Sequence, residues 1–254
     1  MKPGENPTKD AIKSSEIFPS DYHHYRNDRG TLFGGVFILV HKSIISIEQP
    51  ELATDCEIEW VKIKLQKYKD LFIGCFYMPH RNLKDTQELD KSIKKRNEKN
   101  NKNLILVDDF NCPDINWNTL SVDPESDNRD IQQSIVNISL TSELTQVHDQ
   151  PTRGNKILDL IFTTNPSLIK SSISIPGISD HYIVATDIET KPHYQKTNPR
   201  KCYIYSKANW KDLNNDLEKL SSEIETMYYT GSNTQTLWDT SRYKLNKHLN
   251  DHIP

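Results

Sequence analysis

The stretch PTRGNKILDLIFT at residues 151–163, followed by SDH at residues 179–181, decides how this chain reads. Residues 158–163 form an apolar run of strand composition, yet a carboxylate, Asp159, sits inside it. Burying a lone charge is costly, so Asp159 needs a partner. A second strand pattern, residues 182–188, begins directly after Ser179, Asp180 and His181. Upstream, residues 130–144 read as a helix with Ile131, Ile135 and Ile138 on one stripe, and Pro151 to Gly154 break that pattern.

Working outward, the same style of strand ending in polar residues recurs. Residues 71–77 are continuously apolar and stop before Pro79, as expected of a central strand buried on both faces. Residues 103–107 form a strand that runs into Asp108, Asp109, Phe110 and Asn111; polar residues closing an apolar strand point to chemistry. A strand at residues 34–41 opens with Gly34 and Gly35, which suggests close backbone approach. In residues 56–65, Cys56, Ile58 and Trp60 alternate before the apolar phase moves to Val61, Ile63 and Leu65, by a bulge or by burial on two faces. Residues 84–102 turn charge-rich: residues 91–102 hold six positive residues against one Glu, read as a solvated helix and loop ahead of a phosphate-contacting patch.

Composition excludes several classes. The chain has 254 residues, 35% hydrophobic, with four Trp, eleven Tyr and seven Phe, which argues for a folded core. Its 32 Lys and Arg against 35 Asp and Glu give a net charge of −3, so nucleic-acid binding would have to come from a local patch. No apolar run approaches the roughly 20 residues that span a bilayer. Residues 1–15 are polar and carry Pro3, Gly4 and Pro7 where a secretory leader would be apolar, so an intracellular location, nuclear or cytoplasmic, is expected. The four cysteines, at 56, 75, 112 and 202, lack metal-binding spacing and read as reduced thiols.

Beyond residue 190 the style changes. A Pro-bearing polar linker leads into two helical patterns, one carrying Trp210, Leu213, Leu217, Leu220, Ile224 and Met227 and capped by Asn209, the other carrying Leu237, Leu245 and Leu249. Residues 191–254 hold ten basic and seven acidic residues, leaving 22 against 28 in the body. The expected organisation is a polar segment at 1–13, a domain at 14–190 and a linker with helical tail at 191–254.

The chemistry-bearing set is Tyr77, His80, Asp109, Asn111, Asp159, Asp180 and His181, each at a strand end or loop. Phosphodiester hydrolysis needs a hard cation, a group to position or deprotonate water, and donors for charge on phosphoryl oxygens, and this set supplies most of those parts. Taken singly, each residue has a bland reading. Tyr77 suits a core aromatic with its hydroxyl at the rim, Asp109 and Asn111 suit a turn, and Asp159 with His181 suits a buried structural pair. His80, Arg26 and Arg29 read as surface or packing residues.

In order and spacing, these motifs resemble the endonuclease/exonuclease/phosphatase superfamily, and more narrowly the endonuclease domain of non-LTR, jockey-like retrotransposons. The matching stretches are Tyr25 to Arg29 leading to Gly34, Gly35 and Val36; Phe76 to Pro79; Asp109, Phe110 and Asn111; Pro151, Thr152 and Arg153 before residues 158–163; and Ser179, Asp180 and His181. They cover roughly residues 14–190. The resemblance implies an α/β fold: a four-layered sandwich of two mostly antiparallel sheets flanked by helices, incomplete at the N-terminus. It also implies Mg²⁺, with Mn²⁺ as substitute, and a DNA partner. Asp109 would orient or deprotonate the attacking water, Asn111 would steady that group and the phosphate, and Tyr77 would bond a phosphate oxygen. Asp180 would approach the metal, and His181 would contact the scissile phosphate with Asp159 holding its other ring nitrogen. The product ends would be 5′-phosphate and 3′-hydroxyl, the latter priming reverse transcription by a polymerase that the parent element would supply. Residues 251–254 resemble the linker before that polymerase.

Two departures from the family pattern stand out. A first strand and helix, with an Asn and a metal-binding Glu, should precede this sequence, and neither Glu5 nor Glu16 is assigned that ligand role. Asp108 stands where the family usually has Gly, and its charge would either assist a cation or raise a neighbouring pKa. The expected function is therefore an Mg²⁺-dependent DNA endonuclease by descent. The alternatives are an inactive remnant or nucleic-acid-binding fragment and, third, a phosphatase acting on small phosphoesters.

Overall fold

A computed structural model describes residues 13–29, 34–66, 69–99, 103–195 and 203–254. Glu5 and Cys202 lie outside the described residues. The chain divides into two compact units, Met1–Lys196 and Thr197–Pro254. In the first, the helices are α1 (Ser14–Ile17), α2 (Leu83–Asn97) and α3 (Arg129–Thr141). The strands are β1 (Tyr22–Asn27), β2 (Val36–His41), β3 (Ser46–Glu48), β4 (Glu57–Ile63), β5 (Leu71–Tyr77), β6 (Leu104–Asp109), β7 (Ile115–Asn116), β8 (Ser121–Val122), β9 (Thr145–Gln146), β10 (Asp159–Thr163), β11 (Ile169–Ile175) and β12 (Ile183–Ile188).

The centre is a six-stranded sheet in the order β3-β4-β5-β6-β10-β9, antiparallel except where β5 and β6 run parallel. One face packs Ile58, Trp60, Phe76, Leu106 and Phe162 against Leu89 and Ile93 of α2 and Ile135 and Ile138 of α3. The other face packs Val61, Ile63, Leu71, Ile105 and Ile161 against two hairpins, β1-β2 and β11-β12, through Tyr25, Ile38, Val184 and Ile188. This is the mixed α/β sandwich expected from the sequence. Its second β layer consists of two separate two-stranded ladders among the described residues.

The apparent phase change in residues 56–65 is resolved by this layering. The β4–β5 register runs unbroken from Glu57 opposite Tyr77 to Ile63 opposite Leu71. Ile58 and Trp60 enter the helix-side core, while Val61, Ile63 and Leu65 enter the hairpin-side core. Even and odd positions simply serve opposite faces, both apolar, so no bulge is needed. Each such large apolar side chain contributes roughly 1.5–3 kcal/mol on burial. Gly74 in β5 makes room for the Trp60 ring, since a Cβ there would lie 2.6 Å from it.

Buried polar groups tie these layers together. Trp60 Nε1 donates to Ser92 Oγ on α2 (2.8 Å), and Ser92 Oγ donates to the Leu52 carbonyl (2.6 Å). His148, 1% exposed, bonds Ser172 (2.8 Å) and Ser174 (3.0 Å) of β11 through its two ring nitrogens. Residues 192–194 also lie against this unit, with Pro192 bridging Leu65 and Tyr194 bridging Ile44.

The charge-rich segment forms α2, capped by Asn82, whose side chain accepts from the Asp85 amide. Its basic side chains are spent locally: Lys91 on Glu88, Lys94 on Asp90 and Lys99 on Glu51. Arg96 is buried with its guanidinium over the Phe72 ring (5.2 Å). The second unit is a helical hairpin of α4 (Trp210–Tyr229) and α5 (Thr234–His252), each capped by an Asn side chain, with Leu213, Leu220 and Ile253 buried.

Candidate active site

Parallel β5 and β6 finish side by side, and antiparallel β10 starts beside them, so Tyr77, Asp109 and Asp159 share one edge of the sheet. Asp159 lies directly opposite Asp109 in the ladder. The backbone fastens this edge: Met78 N–H donates to the Asp109 carbonyl and Phe110 N–H to the Leu158 carbonyl, both at 3.0 Å. Phe110 is fully buried between Phe76 and Phe162, each ring centroid 5.1 Å from its own. With that ring anchored in the core, Asp109 and Asn111 on either side are left at the rim. Asn111 has φ 52°, a left-handed conformation that Asn tolerates. Its amide N–H donates to Asp109 Oδ1 (2.8 Å) and its side-chain amide to the Pro79 carbonyl (3.4 Å).

His181 arrives from the loop before β12 and donates from Nδ1 to Asp159 Oδ2 at 2.8 Å. That is the partner the carboxylate requires. Thr152 organises the approach: its hydroxyl accepts from the Leu158 amide (2.9 Å) and the Asp159 amide (3.1 Å), while its carbonyl accepts from the Tyr182 amide (2.7 Å). The PTR, LDLIFT and SDH segments are thus one structural unit joined through a buried threonine.

Three carboxylates gather here with one imidazole, and the electrostatics reflect it. Burial, then the facing Asp159, pushes the Asp109 carboxyl up to about 6 against the stabilising Asn111 amide and His181. Burial also raises Asp108, which takes φ 111°, outside the range comfortable for a residue with a Cβ. Asp108 accepts from its neighbour's amide (2.9 Å) and from the Cys75 thiol (2.7 Å). Burial raises Cys75 well above its ordinary value and keeps it a thiol. Burial, then the Asp109 charge, raises Tyr77, so its hydroxyl stays protonated and able to donate.

The structure therefore brings Tyr77, Asp109, Asn111, Asp159 and His181 to one edge. Asp180 differs: its carboxylate pairs with Arg153 at 2.5 Å, and both side chains are more than half exposed. His80 is exposed on a groove of about 430 Å³ shared with Arg29, Glu57, Asn82 and Asp85. Glu16 accepts from the Lys13 amide at the start of α1 (3.0 Å), a local capping role. Arg26 pairs with Asp28.

One feature was not legible in sequence. Arg29 pairs with Glu57, which also accepts from the Gly35 amide (2.5 Å), and the Arg29 guanidinium lies 5.9 Å from the Tyr77 ring centroid. Glu57 faces Tyr77 across the β4–β5 ladder. The signal was the register itself, which period-2 patterning alone does not supply.

Hard oxygen donors are the right type for Mg²⁺. Among the described residues, however, no three carboxylate or imidazole ligands converge at this edge. Asp159 is engaged by His181, Asp109 by the Asn111 amide and Asp180 by Arg153. The described donors do not close around a resident ion.

The fold of the first unit is similar to that of a retrotransposon endonuclease domain. Residues 71–185 match the family described as endonuclease-reverse transcriptase. Among solved structures, the endonuclease domain of TRAS1, a telomere-specific non-LTR retrotransposon, matches with a TM-score of 0.54 at 17% identity, over 68% of this chain and 82% of that one. No curated protein matches. Among the described residues, no helix is long and apolar enough to cross a membrane.

Proposed function

We propose that the first unit is a DNA endonuclease domain that hydrolyses a phosphodiester bond and leaves 3′-hydroxyl and 5′-phosphate ends. The observation carrying this reading is the Asp159–His181 pair at the same strand edge as Asp109. Asp109, its carboxylate steadied by the Asn111 amide, takes a proton from water as the water attacks phosphorus in line. Asn111 and the Tyr77 hydroxyl donate to non-bridging phosphate oxygens. His181, its ring fixed through Nδ1, turns Nε2 to the phosphate and offsets the charge that builds there. The P–O3′ bond breaks, and the 3′ oxygen takes a proton from solvent.

A supercoiled plasmid, incubated with Mg²⁺ and the full chain, tests this. The wild type should produce nicked circles, and Asp109→Ala and His181→Ala should each slow this by about 100-fold or more. Equal residual nicking by all three chains would remove the activity.

A second reading, a nucleic-acid-binding remnant without catalysis, is favoured by the Asp180–Arg153 pair and by the absence of three convergent ligands among the described residues. DNA retardation without nicking, unchanged by Asp109→Ala, would establish it.

A further inference from the structure

The hairpin of α4 and α5 carries chemistry that the endonuclease reading does not use. His248 and His252 are four residues apart on α5, a spacing that places both rings on one face. Asp216 reaches them from α4. One ligand atom from each of the three side chains lies within 4.8 Å of the other two, the one such group among the described residues.

We propose that Asp216, His248 and His252 form a binding site for a divalent transition ion of the Zn²⁺ class, clipping the two helices together. Two imidazole nitrogens with one carboxylate oxygen suit Zn²⁺, Co²⁺ or Ni²⁺ rather than Mg²⁺ or Ca²⁺. Bonds of about 2.0–2.1 Å in a tetrahedron set ligand atoms roughly 3.3–3.4 Å apart. His248 Nδ1 lies 3.6 Å and His252 Nε2 2.9 Å from Asp216 Oδ2, distances that bracket this edge. The ion would replace the His252–Asp216 hydrogen bond. Lys219 bonds the other carboxylate oxygen, Oδ1, at 2.9 Å, which fixes the carboxylate and leaves Oδ2 as ligand.

The scaffold is set before any ion arrives. The end of α5 is fastened to the entry of α4 by the Asn209 amide on the His252 carbonyl (2.9 Å) and the Ile204 amide on the Pro254 carbonyl (2.7 Å). Tyr203 Oη also donates to Asn250 Oδ1 (3.0 Å). Leu213 and Leu220, which precede and follow Asp216 along α4, are buried. The three side chains keep 17–27% exposure, which gives an ion entry and leaves a fourth position for water.

The test uses the full chain titrated with Zn²⁺ in a calorimeter and with Co²⁺ in a spectrophotometer. One equivalent should bind, the Co²⁺ complex should show the strong visible bands of four-coordination, and excess Mg²⁺ should not displace the ion. His248→Gln with His252→Gln, checked for helix content by circular dichroism, should weaken Zn²⁺ by more than the roughly 10–100-fold cost of an outer-shell change. Asp216→Asn, nearly isosteric, should also weaken it and abolish the rise in melting temperature that Zn²⁺ gives the wild type. Binding unchanged in these variants assigns the ion elsewhere, and no binding by the wild type leaves an ordinary ion-pair cluster; either overturns the proposal.

Discussion

Asp109 faces Asp159 across the β6–β10 ladder, two carboxylates in direct register on neighbouring strands. His181 bonds Asp159 and only partly offsets the neighbouring charge at Asp109, whose carboxyl is raised from 3.8 to about 6 by burial and then by the facing Asp159. The folded chain then holds more protons at this site than the unfolded chain between those two values, and stability falls as pH rises through that window. Asp109→Asn should therefore stabilise the protein at pH 7 by on the order of 1 kcal/mol, after allowance for partial solvent screening. The gain should shrink below pH 6 and vanish near pH 4. Thermal melts of both chains across pH 4–8 measure it. On the proposed mechanism nicking needs the ionised carboxylate, and it should decline in the wild type below about pH 6.

The 2.8 Å bond from His181 to Asp159 predicts a separable effect. Asp159→Asn keeps the side-chain volume but removes the charge that orients the ring. Plasmid nicking should fall by about 10–100-fold, the usual cost of an outer partner to an active imidazole, while the melting temperature changes little. Loss of folding with loss of activity would instead make the pair structural.

Asp108 predicts a stabilising substitution. Its φ of 111° costs a residue with a Cβ about 1–3 kcal/mol, a cost that glycine avoids. Asp108→Gly gives up the bonds to Cys75 and the Asp109 amide but also removes a negative charge beside Asp109. We expect a net gain of about 1 kcal/mol in urea unfolding and an Asp109 pKa below 6. An unchanged or lower midpoint would mean that the two hydrogen bonds outweigh the strain.

How much of this was legible follows from where the signal lies. Residues 71–77 coincide with β5, and 103–107 and 158–163 with β6 and β10 to within two residues, because strands buried on both faces are apolar without interruption. β1, with His23, His24 and Arg26, and β11, with Lys170, Ser171 and Ser172, give no strand signal in the sequence because half-exposed hairpins carry little apolar pattern. Asp159 announced its need for a partner through its own burial. The Arg29–Glu57 pair gave no such notice, since both residues have ordinary surface composition until the β4–β5 register sets Glu57 opposite Tyr77. The sequence signal for Asp180 is its motif alone, and a motif does not report the Arg153 guanidinium 2.5 Å from its carboxylate.

Thr152 gives the final prediction, because one buried hydroxyl joins three segments separated in sequence. Its Oγ1 accepts two backbone amides at the start of β10, and its carbonyl holds the residue after His181. Thr152→Val preserves shape and backbone but leaves the Leu158 and Asp159 amides without that acceptor. A buried donor left unsatisfied costs about 1–3 kcal/mol. Because both amides flank the Asp159 carboxylate, the loss should reach the His181 pair as well as global stability. We expect a destabilisation of about 2 kcal/mol in urea, together with faster hydrogen exchange at residues 158–159 and 181–182 than in α2. Thr152→Ser, which keeps the hydroxyl, should recover most of both, whereas a Ser variant as impaired as Val would mean that the hydroxyl alone does not hold the three segments together.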